Sequence, residues 1–414
     1  MMDFGQARES FQKSLGFIER HGISTFDPYD IKTLKLLSWT LERKSALRLF
    51  VRYSLYSVFF VAPLVLRRLL RVQPLITAEG VAFLAEVYRE YYEYLGNEGA
   101  KQKAFALVEW LVHNSYRVRD GIGWGVPYRW TRGRLGSVPP NFPNAHTTAV
   151  CVDVLLDFLS YDLETNTIQN VIRDALHFLA NGLFSLKNSS QKECFSYTPL
   201  DQVQVCVVNT NADMAWVFLK AAVYVQEERE AYFALGKKLL WFVISEQQDN
   251  GSWNYFARSS EKSQHIDGYH TAMILRALTR SYILGQKSLG KDLVEALEVA
   301  IRKGVQFYVS NLFTMDGRPK FTPSRVYPVD ILSCAMALIT LSEVYEIREE
   351  IEGLPPIKPI VERVLSYSLR RMQQESGEFY YRDYGIKRMR LGSLRWAQAP
   401  MSLGILKALR VIGK

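Results

Sequence analysis

The feature that most constrains this chain is a pattern that returns about every 60 residues. An amphipathic helix ends, an aromatic loop follows, and a new helix opens on a small or polar side chain. The loops read GIGWGVPYRW (121–130), CFSYTPLD (194–201), QQDNGSWNYF (247–256), DGRPKFTP (316–323) and SGEFYYRDYG (376–385). The helices that follow open near NAHTTAVCV (144–152), NTNADMAWV (209–217), IDGYHTAMI (266–274), YPVDILSCAMAL (327–338) and LRWAQAPMSL (394–403). With His146, Asn211, His270, Asp330 and Gln398 as equivalent points, the steps are 65, 59, 60 and 68 residues. Such a step fits one helical hairpin plus a long loop, each unit burying its apolar face on its neighbours.

Between the loops, apolar residues recur at i, i+3 and i+4, as in 79–95 and 212–226, which is helical spacing. Strand signals are weak. Five repeats, with one or two earlier hairpins in residues 1–118, predict an all-α fold, an (α/α)6–7 toroid of helical hairpins. Residues 1–414 read as a single domain, with 1–75 as an N-terminal helical segment. In a closed ring the inner helices start on one face, so the repeated polar positions are expected to converge on one funnel.

A 48% hydrophobic share supplies a large core. The net charge of +9 would suit a nucleic acid, an anionic membrane surface or an acidic glycan. No nucleic-acid motif and no compact basic tract accompanies it, so nucleic acid is not an expected partner. The N-terminus MMDFGQARES lacks a basic stretch followed by an apolar core, and the cytoplasm is the expected compartment. Cys151 and Cys334 lie in apolar helical runs and read as small core residues; neither they nor Cys194 and Cys206 form a C-x-x-C pair. From Tyr53 to Leu66 the chain carries no charge, between Arg48 and Arg52 on one side and Arg67, Arg68 and Arg71 on the other. That run is too short to span a bilayer and is broken by Pro63. It reads as a buried helix pair or as an interfacial patch that puts the protein on the inner face of the membrane.

The loops carry the candidate chemistry. GWGVPYRWTRGR (123–134) sets Trp124, Tyr128 and Trp130 beside Arg129, Arg132 and Arg134. Aromatic faces stack on sugar rings, and guanidinium groups grip carboxylates or phosphates. IDGYHTA (266–272) places Asp267 and His270 three apart at a helix start, where they share a face. An imidazole beside an acid suits proton transfer, although Asp267 also fits an N-cap. Asp330 repeats this arrangement one hairpin on. Asp267, His270 and Asp330 are therefore the catalytic candidates, with Tyr255 or Tyr381 as a second acid. Trp124, Arg129, Trp130, Arg132, His146, Tyr197, Asn211, Trp253, Tyr381, Arg382, Arg395, Trp396 and Gln398 are the candidate substrate contacts. Asp27 and Asp30 in FDPYD fit a turn. No metal-ligand spacing and no nucleotide-binding loop occurs, so neither metal nor cofactor is expected.

QQDNGSW (247–253) resembles the QW repeat of squalene cyclases, where it would make Trp253 a loop staple. Taken together, FDPYD, GWGVPYRW, CFSYTPLD, NTNADMAW, QQDNGSWNYF, IDGYHTA, YPVDI, FYYRDYG and LRWAQA resemble a family of helical toroid proteins encoded with exopolysaccharide biosynthesis genes. These pieces span nearly the whole chain in order. The resemblance implies a glycan-related role, on a fold like that of terpenoid cyclases and six-hairpin glycosidases. More loosely, the order of loops is similar to the helical domain of glucuronyl C5-epimerases, which implies roles for Tyr255, His270 and Arg129. The D-x-D-D acid of terpene cyclases and the Asp-x-Cys pair of prenyltransferases are absent. The expected function is a carbohydrate-active enzyme of cell-surface polysaccharide biosynthesis. Its substrate would be an acidic glycan or lipid-linked oligosaccharide, and its chemistry epimerisation, elimination or hydrolysis. An isoprenoid-binding cyclase relative, whose funnel would be aromatic and without paired carboxylates, and a noncatalytic assembly scaffold are the alternatives.

Overall fold

The computed structural model describes residues 4–42, 45–118, 121–131, 137–161, 165–200, 205–258 and 265–413. Its helices are α1 (Phe4–His21), α2 (Lys35–Glu42), α3 (Ala46–Val61), α4 (Pro63–Leu69), α5 (Ala78–Leu95), α6 (Glu98–His113), α7 (Ala145–Asp157), α8 (Thr165–His177), α9 (Val208–Tyr224), α10 (Arg229–Ser245), α11 (Gly268–Gly285), α12 (Lys291–Asn311), α13 (Ile331–Glu346), α14 (Lys358–Tyr367) and α15 (Ala399–Ile412). Helices α5, α7, α9, α11, α13 and α15 each pack on the next, and α15 returns to α5, closing an inner ring. α6, α8, α10, α12 and α14 each pair with the inner helix before them.

α15 takes its outer partner from the other end of the chain, α1. The ring therefore has six hairpins, and the two termini together make the sixth. This divides the N-terminal segment that the sequence reads as one unit. α1 belongs to the ring, whereas α2–α4 gather around their own small core of Leu37, Phe59 and Val72.

Pattern explains which helices face inward. Every residue of α13 from Ile331 to Val344 is buried, as a helix with apolar residues on every side must be, and its one acid in that span, Glu343, is paired with arginines. Outer α12 buries Leu293, Leu297, Ala300, Ile301, Gly304, Val305 and Tyr308, a stripe with helical spacing, and leaves its other face wet. Loop glycines lock consecutive hairpins together. Gly251 has φ +89°, and a Cβ there would strike the Lys303 carbonyl of α12. Gly377 has φ +91° and makes the same approach to the Lys13 carbonyl of α1. Only glycine combines that backbone with that proximity, and the shared contact marks α1 as the structural equivalent of α12.

Short antiparallel ribbons stiffen the loops on the face where the inner helices begin. They are β1 (Tyr116–Val118) with β2 (Gly121–Gly123), β3 (Trp130–Thr131) with β4 (Ser137–Val138), and β5 (Ser185–Asn188) with β6 (Glu193–Phe195). β7 (Val329–Asp330), β8 (Arg382–Asp383) and β9 (Arg388–Met389) form a three-stranded sheet that sets Asp330 opposite Arg382. Cys194 and Cys206 are joined in a disulfide that ties β6 to the approach of α9, a bond that cytoplasmic conditions disfavour. Cys151 and Cys334 are buried thiols of α7 and α13.

A candidate active site at the mouth of the ring

Four residues expected at the ligand are instead part of the core. Trp124 and Trp253 are 1% and 2% exposed. The Trp124 indole N–H donates to the Leu111 carbonyl of α6, and that of Trp253 to Val243 of α10. Each docks on a carbonyl in the last turn of the preceding outer helix. Asn211 accepts from the Phe195 N–H and donates to the Phe195 carbonyl. Gln398 does the same with both backbone groups of Phe379. These side chains are spent on fixing loops, because a loop that crosses the ring must satisfy its own buried backbone.

The positions that do converge lie on the first turns of the inner helices. His146 of α7 sits between two carboxylates. Its Nδ1 is 3.2 Å from Asp213 of α9, and its Nε2 is 3.6 Å from Glu79 of α5. Glu79 accepts from Arg395 at 2.6 and 2.7 Å, and Arg395 donates to the Tyr128 hydroxyl at 3.0 Å. Arg395 and Trp396 stand on a widened turn, Leu394–Gln398, in which the Gln398 N–H reaches back five residues to Ser393. Such π turns recur at functional sites. The Trp396 indole donates to Asp27 at 3.0 Å, and Tyr29 packs between Tyr128 and Trp396.

Burial and charge set opposite states on these groups. Burial disfavours the His146 cation, but Asp213 and Glu79 outweigh it and raise the imidazole to about 9. Burial would likewise raise Glu79, yet Arg395 and His146 hold it down at about 2. Asp27 and Asp213 move the other way, because burial exceeds the help of Arg395 and His146 respectively. Of the two carboxylates at His146, Glu79 is the firmly ionised one, since it also has an arginine in direct contact. Lys32 lies over the rings of Tyr29 and Tyr128 at 4.4 and 5.5 Å. Burial pulls it down to about 8 against the opposing field of Asp27.

A second cluster forms the wall beside this centre. Asp267 caps α11 by accepting from the His270 N–H, while its other oxygen lies 2.6 Å from His270 Nδ1 and 3.2 Å from His265 Nε2. The Tyr255 ring packs against both imidazoles, at 4.4 and 5.1 Å. The three donor groups of His265, Asp267 and His270 lie within 4.8 Å of one another, a set that could hold a divalent cation. Sequence spacing does not reveal it, because His265 comes from the loop rather than the helix. Asp330 caps α13 and accepts from Arg382 at 2.9 Å. Tyr29 lines one cleft with Arg382, and the Tyr269 ring packs on His270 at 4.8 Å while lining the cavity beside His146 and Asp213, so the wall adjoins the centre. Tyr381, adjacent, is buried. Trp130 and Tyr197 meet edge to face at 5.7 Å. Arg129 donates to Ser137 and has no carboxylate partner among the described residues. Arg132 lies outside the described residues.

Below this level the ring is plugged. Arg276 and Arg280 of α11 pair with Glu86 of α5, Asp153 of α7 and Glu343 of α13. Between this network and His146 there remains a cavity of about 40 Å³, enough for water but not for a sugar. A ligand therefore meets the polar mouth, where Asp27, Glu79, Asp213, Asp267 and Asp330 gather. That is not the carboxylate-free aromatic funnel of an isoprenoid binder.

Glu79, Asp213, Lys32 and Tyr269 were not marked by sequence. Glu79 stands 67 residues before His146, one repeat step back, and extending the series by that step would have reached it. Asp213 follows Asn211 by two on α9, so it points to a different side: Asn211 to the loop, Asp213 to His146.

No protein-family model and no curated protein matches the chain. Among solved structures it is similar to cellobiose 2-epimerase from Spirochaeta thermophila, with a TM-score of 0.63 at 14% identity, covering 82% of this chain and 88% of that one. A possible member of the GH105 family from Salmonella enterica serovar Paratyphi A superposes with a TM-score of 0.64 at 9% identity, over 99% of this chain and 95% of that one. A glycosyl hydrolase of family 88 from Bacteroides vulgatus gives 0.57 at 11% identity, over 81% and 92%. The chain has the (α/α)6 toroid fold. At these identities the likeness is one of architecture.

Proposed function

We propose that this protein is a carbohydrate-processing enzyme that moves protons on a sugar ring, as an epimerase or lyase, and acts on an acidic glycan of cell-surface polysaccharide assembly. The observation that carries this reading is a pair of imidazoles, His146 and His270, each held by carboxylates at one polar mouth. Asp267 accepting from His270 Nδ1–H leaves Nε2 to take a proton from carbon. His146, kept cationic with both ring nitrogens against Glu79 and Asp213, supplies fixed positive charge that favours a developing enolate. Burial raises the Tyr128 and Tyr269 phenols well above their ordinary range, so both remain O–H donors. Arg129 and Lys32, which have no carboxylate in ion-pair contact among the described residues, suit the acidic group of the substrate. The structural neighbours, a cellobiose 2-epimerase and a glycosyl hydrolase, support a sugar substrate.

The test is incubation with uronate-containing oligosaccharides in deuterated water. The reading expects deuterium on a ring carbon, lost in His270→Gln. Glycosidic cleavage without carbon-bound label would replace it with hydrolysis. A gene deletion that leaves the surface polymer chemically unchanged would remove the biosynthetic role.

A further inference from the structure

Helix α3 is built inside out for a surface helix. Its inward side, Phe59 with Leu55 and Tyr56, packs into the small core of α2–α4. Its outward side carries Leu47, Phe50, Ser54, Val58 and Val61, spaced three and four apart and therefore on one face. Phe50 is 71% exposed and Val61 68%. After a bend of 113°, α4 continues the surface with Val65 and Leu69, four apart and 67% and 73% exposed. A contiguous exposed apolar surface of this kind marks an interaction site.

Charge identifies the partner. Residues 31–72 contain nine Lys and Arg and a single acid, Glu42. The rest of the chain holds 42 basic and 41 acidic residues. Nearly the whole net charge of the protein is thus concentrated in the segment that bears the apolar face, with Arg67 alone among its described bases buried against Asp30. Lys35, Arg68 and Arg71 are exposed there, and Arg48 stacks on the half-exposed Trp39 at 4.3 Å. A second copy on a two-fold axis would set this charge against itself.

We propose that α2–α4 dock this protein on an anionic lipid bilayer, with the outward faces of α3 and α4 in the interface and the flanking basic residues on lipid headgroups. Apolar face and basic flank together are the signature of an interfacial helix. The segment lies on the bilayer rather than through it. No single helix among the described residues is long and apolar enough to cross a membrane, and the bend at Pro63 turns the pair back. Docking here also positions the site. Tyr29, Tyr56, Phe60, Pro63, Arg382 and Tyr384 line a cleft of about 270 Å³ between α3–α4 and β8–β9. Tyr29 and Arg382 belong to the mouth of the ring, so the cleft joins the docking face to it.

The experiment is cosedimentation of the full-length protein with phosphatidylcholine vesicles, with and without one-third phosphatidylglycerol. Binding is expected to need the anionic lipid and to weaken with added salt. The triple variant Phe50→Glu, Val58→Glu, Val61→Glu is expected to lose at least roughly tenfold in binding while keeping its circular dichroism and thermal transition. Arg68→Ala with Arg71→Ala is expected to flatten the salt dependence. Failure to bind anionic vesicles, or unchanged binding by the triple variant, overturns the proposal. So does a concentration-dependent dimer that the triple variant abolishes, which would assign the face to a second copy. None of these readouts depends on the sugar chemistry proposed for the ring.

Discussion

Arg395, in the turn that opens the last inner helix, contacts Glu79 of the first inner helix at 2.6 Å across 316 residues of sequence. Both side chains are buried, at 10% and 4% exposure. The contact closes the ring electrostatically where α15 meets α5. Removing one partner of such a pair strands a buried charge, at a cost of about 3–5 kcal/mol. Arg395→Met is therefore expected to lower the denaturant midpoint sharply, and Arg395→Met with Glu79→Gln to recover part of the loss. A single variant that unfolds with the wild type would show that packing alone closes the ring.

Stability is expected to depend on pH through His146. Its folded value of about 9 lies above the ordinary 6.5, so the fold favours the cation. The stabilisation is complete below 6.5 and is lost as pH rises through about 9. At about 1.4 kcal/mol per unit, the loss is on the order of 3–4 kcal/mol. Glu79 works in the opposite direction. Its stabilisation is present above 4.5 and fades as pH falls toward about 2. Thermal melts of wild type and His146→Gln across the alkaline window should converge at its upper end; parallel curves would refute the assignment.

Asp267→Asn separates capping from catalysis. Asparagine caps a helix as well as aspartate does, so the melting temperature should hold. It cannot support the His270 imidazole as a carboxylate does, and turnover should fall roughly 100- to 10,000-fold, as for loss of a general base. His270→Gln should match it. Unchanged turnover in either would take this pair out of the mechanism.

Gly304 of α12 tests the loop staple. A Cβ there would lie 2.6 Å from the Trp253 ring and 2.8 Å from Leu275. Gly304→Ala should cost about 1–3 kcal/mol through overpacking, read as a lower denaturant midpoint. An unshifted midpoint would mean that Trp253 can move aside, and that the loop it anchors is not rigid.

Part of the polar mouth is legible in the sequence and part is not, for reasons that lie in the helix itself. Asp267 and His270 could be read because both fall in one short motif at a helix start. Trp124 covers a helix end rather than a ligand, as the staple resemblance implies for Trp253. An aromatic residue in a loop looks the same whether it covers a helix end or faces solvent. Only the bond of its indole N–H decides. Asn211 holds a loop and Asp213 meets His146, although they sit two apart on the same turn. Residue type says what a side chain can bind, while its angle around the helix says what it meets.

The chain by itself determined that hairpins repeat, that their polar tips recur in register, and that nearly all the excess positive charge lies in residues 31–72. Those are properties of order and composition, carried by neighbours a few residues apart. Tertiary structure alone decided that there are six hairpins, because the sixth is assembled from α1 and α15 at opposite ends of the chain. It also decided that Glu79, His146, Asp213 and Arg395 form one network. Their separations in sequence carry no distance information until the ring closes, and closure is a collective result of burying every hairpin on its neighbours.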